Sequence, residues 1–150
     1  MFNITTITDK KEVFVKHFID SVLGADKLCG KTLIDVGSGG GFPAIPIKIL
    51  NSDLQVFLLE ATGKKCQFLT EVIKELNLKN IKVVNDRAEV LGKNPDFREK
   101  FDFCSARAVA RLNILSEYCM PFVKVNGKFI AFKGSDVSEI EEGKSAIKTL

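Results

Sequence analysis

The sequence has little of several residue types that mark other classes of protein. Among its 150 residues there is no tryptophan, one histidine, one tyrosine, four prolines and four cysteines. The cysteines, Cys29, Cys66, Cys104 and Cys119, lie far apart and form no Cys-x-x-Cys pair, and one histidine cannot complete a metal site. We therefore expect reduced thiols, no metal ion and a cytoplasmic protein.

The chain also lacks a long hydrophobic run. Its longest uncharged stretch, residues 36–47, is too short for a membrane span and contains five Gly or Ser residues and two Pro. The sequence does not open with a basic segment followed by an apolar run. We therefore expect neither a membrane span nor a secretory leader.

The remaining composition is that of one folded domain. Hydrophobic residues make up 45% of the chain, and the 12 phenylalanines add enough apolar surface to exclude a disordered or collagen-like protein. The net charge of +3, without a block of Lys and Arg, permits a polyanionic partner but does not require one. We expect a single domain over residues 1–150.

Apolar patterning predicts that strands alternate with helices. Strands are predicted over 32–36, 54–59, 81–84, 101–105 and 128–132, and helices over 9–23, 43–50, 63–76, 113–120 and 137–147. The strands are continuous apolar runs, as expected where both faces of a sheet are covered. Helices between successive strands impose right-handed parallel crossovers. The predicted fold class is therefore α/β, with a doubly wound and mainly parallel sheet.

The most informative segment, LIDVGSGGGFP, joins the first predicted strand to the next helix. It contains three alternating glycines, Gly37, Gly39 and Gly41, and Asp35 precedes the first of them by two residues. Glycines let a ligand lie against the backbone, and the following helix begins with free N–H groups. Phe42 stands where a nicotinamide-dinucleotide fingerprint needs glycine, and no Lys follows as in a P-loop. An acid before the glycines suits a cationic ammonium or sulfonium better than a pyrophosphate.

A second acid supports this interpretation. Glu60 ends the second predicted strand, 23 residues after Gly37. A carboxylate at that place can accept hydrogen bonds from both ribose hydroxyls of a nucleoside. A loop suited to a cationic tail and an acid suited to a ribose together predict S-adenosylmethionine as the cofactor. The alternative is a structural glycine turn beside a solvated Glu60.

Several segments resemble the ribosomal small-subunit methyltransferase G family, also called glucose-inhibited division protein B, within the class I methyltransferases. They are DVGSGGGFP (35–43), EATGKK (60–65), DRAE (86–89) and SARAVARL (105–112), with HFIDS (17–21) before the first strand and AFKG (131–134) at the end of the fifth. The resemblance runs from about residue 3 to residue 148. It implies a Rossmann-like fold that binds S-adenosylmethionine.

The resemblance also implies a reaction. A methyl group would pass to N7 of one guanine, nucleotide 527 by the family's name, in 16S ribosomal RNA. The implied partner is this RNA or the small ribosomal subunit, and we expect a monomer. Motif matching assigns Gly37 and Phe42 to the cofactor loop, Glu60 to the ribose, and Ala88 and Glu89 to the adenine side. The predicted cofactor-binding residues are Asp35, Gly37, Gly39, Gly41, Phe42, Glu60, Ala88, Glu89 and Arg107.

The topology predicts where these residues meet. In a doubly wound sheet of order 3-2-1-4-5, the crevice opens where the order reverses, between strands one and four. The glycine loop and Arg107 should therefore line one crevice, flanked by Lys133. Guanine N7 carries a lone pair and no proton, so the protein must align the reacting atoms and exclude water. We predict Arg107, Arg111 and Lys133 as positioning residues and assign no catalytic acid or base.

Other side chains allow two interpretations. Lys64, Lys65 and Arg111 are either solvated charges or contacts to the RNA site. The Asp-Arg pair at 86–87 either forms an ion pair or shapes an adenine pocket. His17 is either a buried histidine with a hydrogen-bonded ring or a contact at the pocket edge.

The chain is short for this resemblance, since class I methyltransferases usually have two more strands after the fifth. We therefore expect a C-terminally short domain that lacks the last two strands and leaves strand five as an exposed edge. Two alternatives to the enzyme stay open. One is a truncated, non-catalytic remnant that binds S-adenosylmethionine, and the other is a nicotinamide-binding module.

Overall fold

The computed structural model describes residues 18–23, 31–133, 139 and 143. Its elements are α1 (Asp20–Leu23), β1 (Thr32–Val36), α2 (Ala44–Leu50), β2 (Gln55–Leu59), α3 (Gly63–Glu75), β3 (Ile81–Val84), α4 (Ala88–Leu91), β4 (Phe101–Arg107), α5 (Leu112–Cys119), a 3₁₀ helix (Met120–Phe122) and β5 (Val123–Phe132). His17, Cys29, Gly134 and most of the predicted helices over 9–23 and 137–147 lie outside the described residues.

The strands form one sheet in which every pairing is parallel. Its order is β3-β2-β1-β4-β5, so β1 is central and β5 forms one edge of the described sheet. Four of the five residues of β1 are buried, as expected for a strand covered on both faces. The predicted α/β class, the doubly wound parallel sheet and the strand order are confirmed.

Two apolar clusters cover the two faces of this sheet. Successive side chains of a strand point to opposite faces, so neighbouring residues of β1 belong to different clusters. Leu33 packs in the cluster that contains Leu69 of α3, whereas Ile34 packs in the cluster that contains Leu115 of α5. The sheet is therefore held between helices on both sides, and its strand ends remain open for a site.

Three of the four cysteines lie among the described residues. Cys66, Cys104 and Cys119 are free thiols with buried side chains. Burial raises the pKa of both Cys66 and Cys104. Since a buried thiol behaves as a small apolar side chain, these three cysteines belong to the packing.

Two predicted boundaries were wrong by more than one residue. β4 extends to Arg107 instead of ending at 105, because it stays paired with β5 as far as Phe132. β5 begins at Val123 instead of 128, since its first half is a largely exposed edge without an apolar pattern. The sequence also gave no signal for α4, whose four residues are too few to show helical periodicity.

Asp102 ties the amino ends of β1 and β4 together. Its Oδ2 accepts hydrogen bonds from the N–H groups of Lys31 and Thr32 and from the Thr32 hydroxyl, each at 2.9 Å. Its Oδ1 pairs with the Lys124 ammonium of β5. Burial alone would raise the pKa of Asp102, but the Lys124 ammonium and the donors of Lys31 and Thr32 outweigh it and hold this pKa below its usual range. The ionised carboxylate therefore stabilises three neighbouring strands.

We expect Asp102→Asn to lower the free energy of unfolding at neutral pH by about 2 kcal/mol, because hydrogen bonds to a charged acceptor are lost. The folded pKa is depressed, so the stabilisation is present above the unfolded pKa of about 3.9 and is lost as the pH falls through the folded value. Urea denaturation at several pH values measures this. Asp96→Asn, at an exposed loop carboxylate, is the control with equal charge change, and an equal loss in both variants contradicts the assignment.

Candidate active site

The glycine loop turns sharply where β1 ends. Gly37, Gly39 and Gly41 have φ angles of 70°, 53° and 89°, a region that other residues rarely adopt. Space is short as well. A Cβ on Gly37 would lie 2.6 Å from Cγ2 of Val109, and one on Gly41 would lie 2.3 Å from Cδ1 of Ile45. The loop therefore needs glycine both for its conformation and for its close contacts.

Glu60, at the end of β2, holds this loop in place. Its Oε2 accepts the N–H of Gly39 at 3.0 Å, and its Oε1 accepts the N–H of Thr62 at 2.9 Å. The side chain is only 6% exposed. Each carboxylate oxygen can accept two hydrogen bonds, so both oxygens of Glu60 keep acceptor capacity for a ligand.

A cavity of about 370 Å³ opens at the carboxyl ends of β1 and β2. Its wall contains Gly37, Glu60, the segment 86–89 after β3, and the turn at 108–109 after β4. It lies beside the point where the strand order reverses between β1 and β4, but the prediction that the glycine loop and Arg107 line one crevice was wrong, because Arg107 is not part of this wall. We call it the first cavity. Its size is within the range of small-molecule sites.

The segment 86–89 forms the far wall of the first cavity. Oδ1 of Asp86 accepts the backbone N–H of Arg87 at 2.7 Å, while Nη1 of Arg87 lies 3.5 Å from Oε1 of Glu89. All three residues and Ala88 line the cavity. This arrangement favours the interpretation in which Asp86 and Arg87 shape a pocket.

Asp35 lies beneath the glycine loop and does not line the first cavity. Its side chain is fully buried, and Oδ1 accepts the Ser105 hydroxyl at 2.6 Å. Within the described part of the chain, Oδ2 has no hydrogen-bond partner. Burial raises the pKa of Asp35 to about 7, against the opposing effects of Ser105 and of the Arg107 charge. The two acids of the motif therefore differ in position: Glu60 lines the first cavity, whereas Asp35 is buried outside its wall.

A second cavity, of about 730 Å³, adjoins the first at Ala108, which belongs to both walls. Its described wall includes Asp20 of α1, Arg107 at the end of β4, Lys133 after β5, and Glu139. We call it the second cavity. The structure therefore brings Arg107 and Lys133 together, as predicted, but in an opening next to the first cavity.

Arg107 is fixed between aromatic and acidic groups. Its guanidinium carbon lies 5.2 Å from the centroid of the Phe42 ring, and Phe18 packs edge-on against the same ring at 5.1 Å. Burial lowers the pKa of Arg107, while the carboxylates of Asp35 and Asp20 raise it. Phe42 therefore acts as a platform for the guanidinium and does not line the first cavity.

Lys133 is also held in position. Its Nζ donates to the carbonyl of Ala110 and, at 2.6 Å, to Oε1 of Glu139. The same oxygen accepts the N–H of Leu112, the first residue of α5, at 2.8 Å. Arg111, the third predicted positioning residue, is exposed and lines neither cavity.

Sequence reasoning missed several residues of the first cavity. Val109 and Tyr118 line it; Val109 falls within the SARAVARL segment but received no role there, and no motif marks Tyr118. Ala108 lies in the wall with a left-handed φ of 54°. This conformation is uncommon for alanine, so the sequence does not predict it. Lys65 borders the cavity although its side chain is exposed, whereas Lys64 is exposed and lies outside the wall.

Comparison with known proteins identifies the family. The family model described as "rRNA small subunit methyltransferase G" matches residues 1–150. The chain belongs to this family. It is 49% identical to the ribosomal RNA small subunit methyltransferase G of Lactobacillus delbrueckii subsp. bulgaricus, over 99% of this chain and 64% of that protein. It is 51% identical to the protein of that name from Acetivibrio thermocellus, over 99% and 62%. The chain thus spans less than two thirds of these relatives.

Solved structures share the fold at low identity. A SAM-dependent O-methyltransferase from Thermotoga maritima superposes with a TM-score of 0.71 at 18% identity, over 97% of this chain and 52% of that one. A precorrin-6y C5,15-methyltransferase from Geobacter metallireducens gives 0.67 at 16%, over 99% and 74%. These likenesses confirm the class I methyltransferase, Rossmann-like fold.

Two further properties concern the described residues only. None of their helices has both the length and the apolar character needed to cross a membrane. No group of three or more His, Cys, Asp or Glu side chains among them could hold a metal ion.

The buried acid predicts a pH-dependent stability. The pKa of Asp35 is about 7 in the folded chain, against about 3.9 for an unfolded Asp. Its contribution to stability is therefore fully present below about pH 4 and is lost as the pH rises through 7. Asp35→Asn stays neutral and avoids this loss. We subtract the free energy of unfolding of wild type from that of Asp35→Asn. This difference should increase by up to about 4 kcal/mol between acid and mildly alkaline pH.

Urea denaturation of both proteins across this pH range measures the difference. Asp96→Asn, which replaces an exposed loop carboxylate, provides the control with the same change of side chain. A difference between Asp35→Asn and wild type that varies with pH no more than that of the control would contradict the raised pKa.

Proposed function

We propose that the chain is an S-adenosylmethionine-dependent methyltransferase that methylates N7 of a guanine in 16S ribosomal RNA. The observation that carries the proposal is membership of the methyltransferase G family over residues 1–150. We propose that the chain acts as a monomer in the cytoplasm. The partner that we propose is this RNA or the small ribosomal subunit. The geometry of the two cavities supports the proposal.

The first cavity fits S-adenosylmethionine chemically. Glu60 has acceptor capacity left for ribose hydroxyls. Ala88 and Glu89 stand on the wall that we assign to the adenine. Gly37 brings the backbone of the glycine loop to the wall of this cavity without a side chain. Among the predicted cofactor residues, Asp35, Phe42 and Arg107 would support this site from behind or beside it.

The chain's own residues have a limited chemical task. When bound, the cofactor supplies an electrophilic methyl group on a sulfonium. Guanine N7 supplies an in-plane lone pair and loses no proton, so no general base is required. The chain has to hold the base in line and exclude water. Arg107 and Lys133, both fixed by their neighbours, are suited to hold the base or an adjoining phosphate.

The ribose assignment predicts a loss of affinity in Glu60→Gln. Glutamine keeps the size of the side chain but replaces one acceptor oxygen with an NH₂ donor. This donor opposes another donor, which is the N–H of Gly39, the N–H of Thr62 or a ribose hydroxyl. We expect the affinity for S-adenosylmethionine, measured by calorimetry, to fall about tenfold or more, since hydrogen bonds to a charged acceptor contribute about 1.5–3 kcal/mol. Glu75→Gln, exposed at the far end of α3, should bind as wild type does. Equal affinities for all three proteins would count against the site.

The reaction itself is tested with radiolabelled S-adenosylmethionine and small ribosomal subunits from cells that lack this modification. Label at N7 of a single guanine, mapped along the RNA, is the expected result. Absence of label with cofactor binding retained would overturn the proposed transfer and leave a chain that only binds the cofactor. Preference for NAD over S-adenosylmethionine would overturn the cofactor assignment as well.

A further inference from the structure

We propose that Asp20, together with Arg107, recognises the Watson–Crick edge of the target guanine in the second cavity. The inference rests on the proposed function, because it names the residue that selects the base. Asp20 begins α1, upstream of the glycine motif, and the matched cofactor motifs assign it no role. Its exposed carboxylate belongs to the wall of the second cavity.

The second cavity holds two carboxylates among its described wall residues, and they differ in what they already bind. Glu139 accepts hydrogen bonds from Lys133 and from the N–H of Leu112 through one oxygen, so it fixes the position of Lys133 and α5. Asp20 instead lies within electrostatic reach of Arg107, whose pKa it raises. Because it is exposed and lines the same cavity as Arg107, the Asp20 carboxylate is the more available group for an incoming base.

The chemistry of the pair matches guanine. The Watson–Crick edge of guanine presents the O6 acceptor followed by the N1–H and N2–H donors. A guanidinium and a carboxylate in the wall of one cavity offer donors and acceptors that complement these atoms. Adenine presents a donor and then an acceptor along the same edge, so the pair would oppose it. A carboxylate accepts both guanine donors at once, and such charge-assisted bonds are among the stronger ones.

The position of the second cavity agrees with the position of N7 on the base. In guanine, O6 lies between N7 and the N1–N2 edge. In the structure, Arg107 and Asp20 both line the second cavity, and Ala108, which follows Arg107 in the chain, borders both cavities. Because the two cavities adjoin, a base held in the second by its Watson–Crick edge can present N7 at the boundary with the first.

Inosine provides the test, because it differs from guanosine only by the missing N2 amino group. Small subunits are reconstituted with guanosine or inosine at the target nucleotide, and methyl transfer is measured for each. Wild type should favour guanosine about tenfold or more, as expected for one lost charge-assisted hydrogen bond. Asp20→Asn should methylate guanosine more slowly and should lose most of this preference, because one acceptor oxygen is replaced by a donor.

Controls separate recognition from folding. Asp96→Asn, an exposed carboxylate in the loop before β4, should keep the wild-type preference. Asp20→Asn should keep the wild-type melting temperature and cofactor affinity, since Asp20 does not line the first cavity. The proposal is overturned if wild type does not distinguish the two bases, or if Asp20→Asn distinguishes them as well as wild type does.

A second measurement keeps the inference apart from the proposed function. If no methyl group reaches either subunit, the proposed transfer fails. Recognition is then measured as the affinity of the chain, saturated with S-adenosylhomocysteine, for a short RNA that carries one guanosine or one inosine at the target. A preference for guanosine that Asp20→Asn loses supports the role of Asp20, and equal affinities in wild type overturn it.

Discussion

The contact between the glycine loop and the turn after β4 determines the shape of the whole site. Val109 approaches Gly37 so closely that a Cβ there would lie 2.6 Å from its methyl carbon, and Ala108 takes a left-handed conformation to allow this approach. Because of that contact, Val109 closes the first cavity while Ala108 separates it from the second. A larger residue at this place in the loop would displace the boundary between the two cavities. The glycine thus serves the geometry of two cavities at once.

The two acids of the motif acquire different roles from their surroundings. Asp35 and Glu60 both support the glycine loop, and the charge of Glu60 adds to the effects that raise the pKa of Asp35. Asp35 is fully buried with one hydroxyl donor, and this burial raises its pKa to about 7. Glu60 instead accepts two backbone N–H groups at the rim of a cavity and keeps capacity for further donors. One acid is therefore part of the support, and the other is the group available to a ligand.

The sequence predicted those features of the site that depend on the course of the backbone. The limits of β1 and β3 and the glycine loop follow from apolar runs and glycine spacing, while the strand order was taken from the doubly wound fold that the resemblance implies; all are confirmed. Gly37 and Glu60 line the first cavity because both stand at strand ends that meet at one edge of the sheet. Their contacts with a cofactor remain predictions. The motif did not show that Asp35 points to the other side, toward Ser105.

What the sequence could not supply depends on packing between distant elements. The exposed first half of β5 carries no apolar pattern, so its pairing with β4 becomes visible only in the folded sheet. The same holds for Phe18, Phe42 and Arg107, which come from the residues before α1, the glycine loop and β4 and yet form one cluster.

This cluster connects the two cavities. Phe42 directly follows Gly41, so the ring that supports Arg107 is attached to the loop that borders the first cavity. Phe18, two residues before Asp20 at the start of α1, packs edge-on against the same ring. Phe42 therefore joins the glycine loop at the first cavity to Arg107 in the wall of the second.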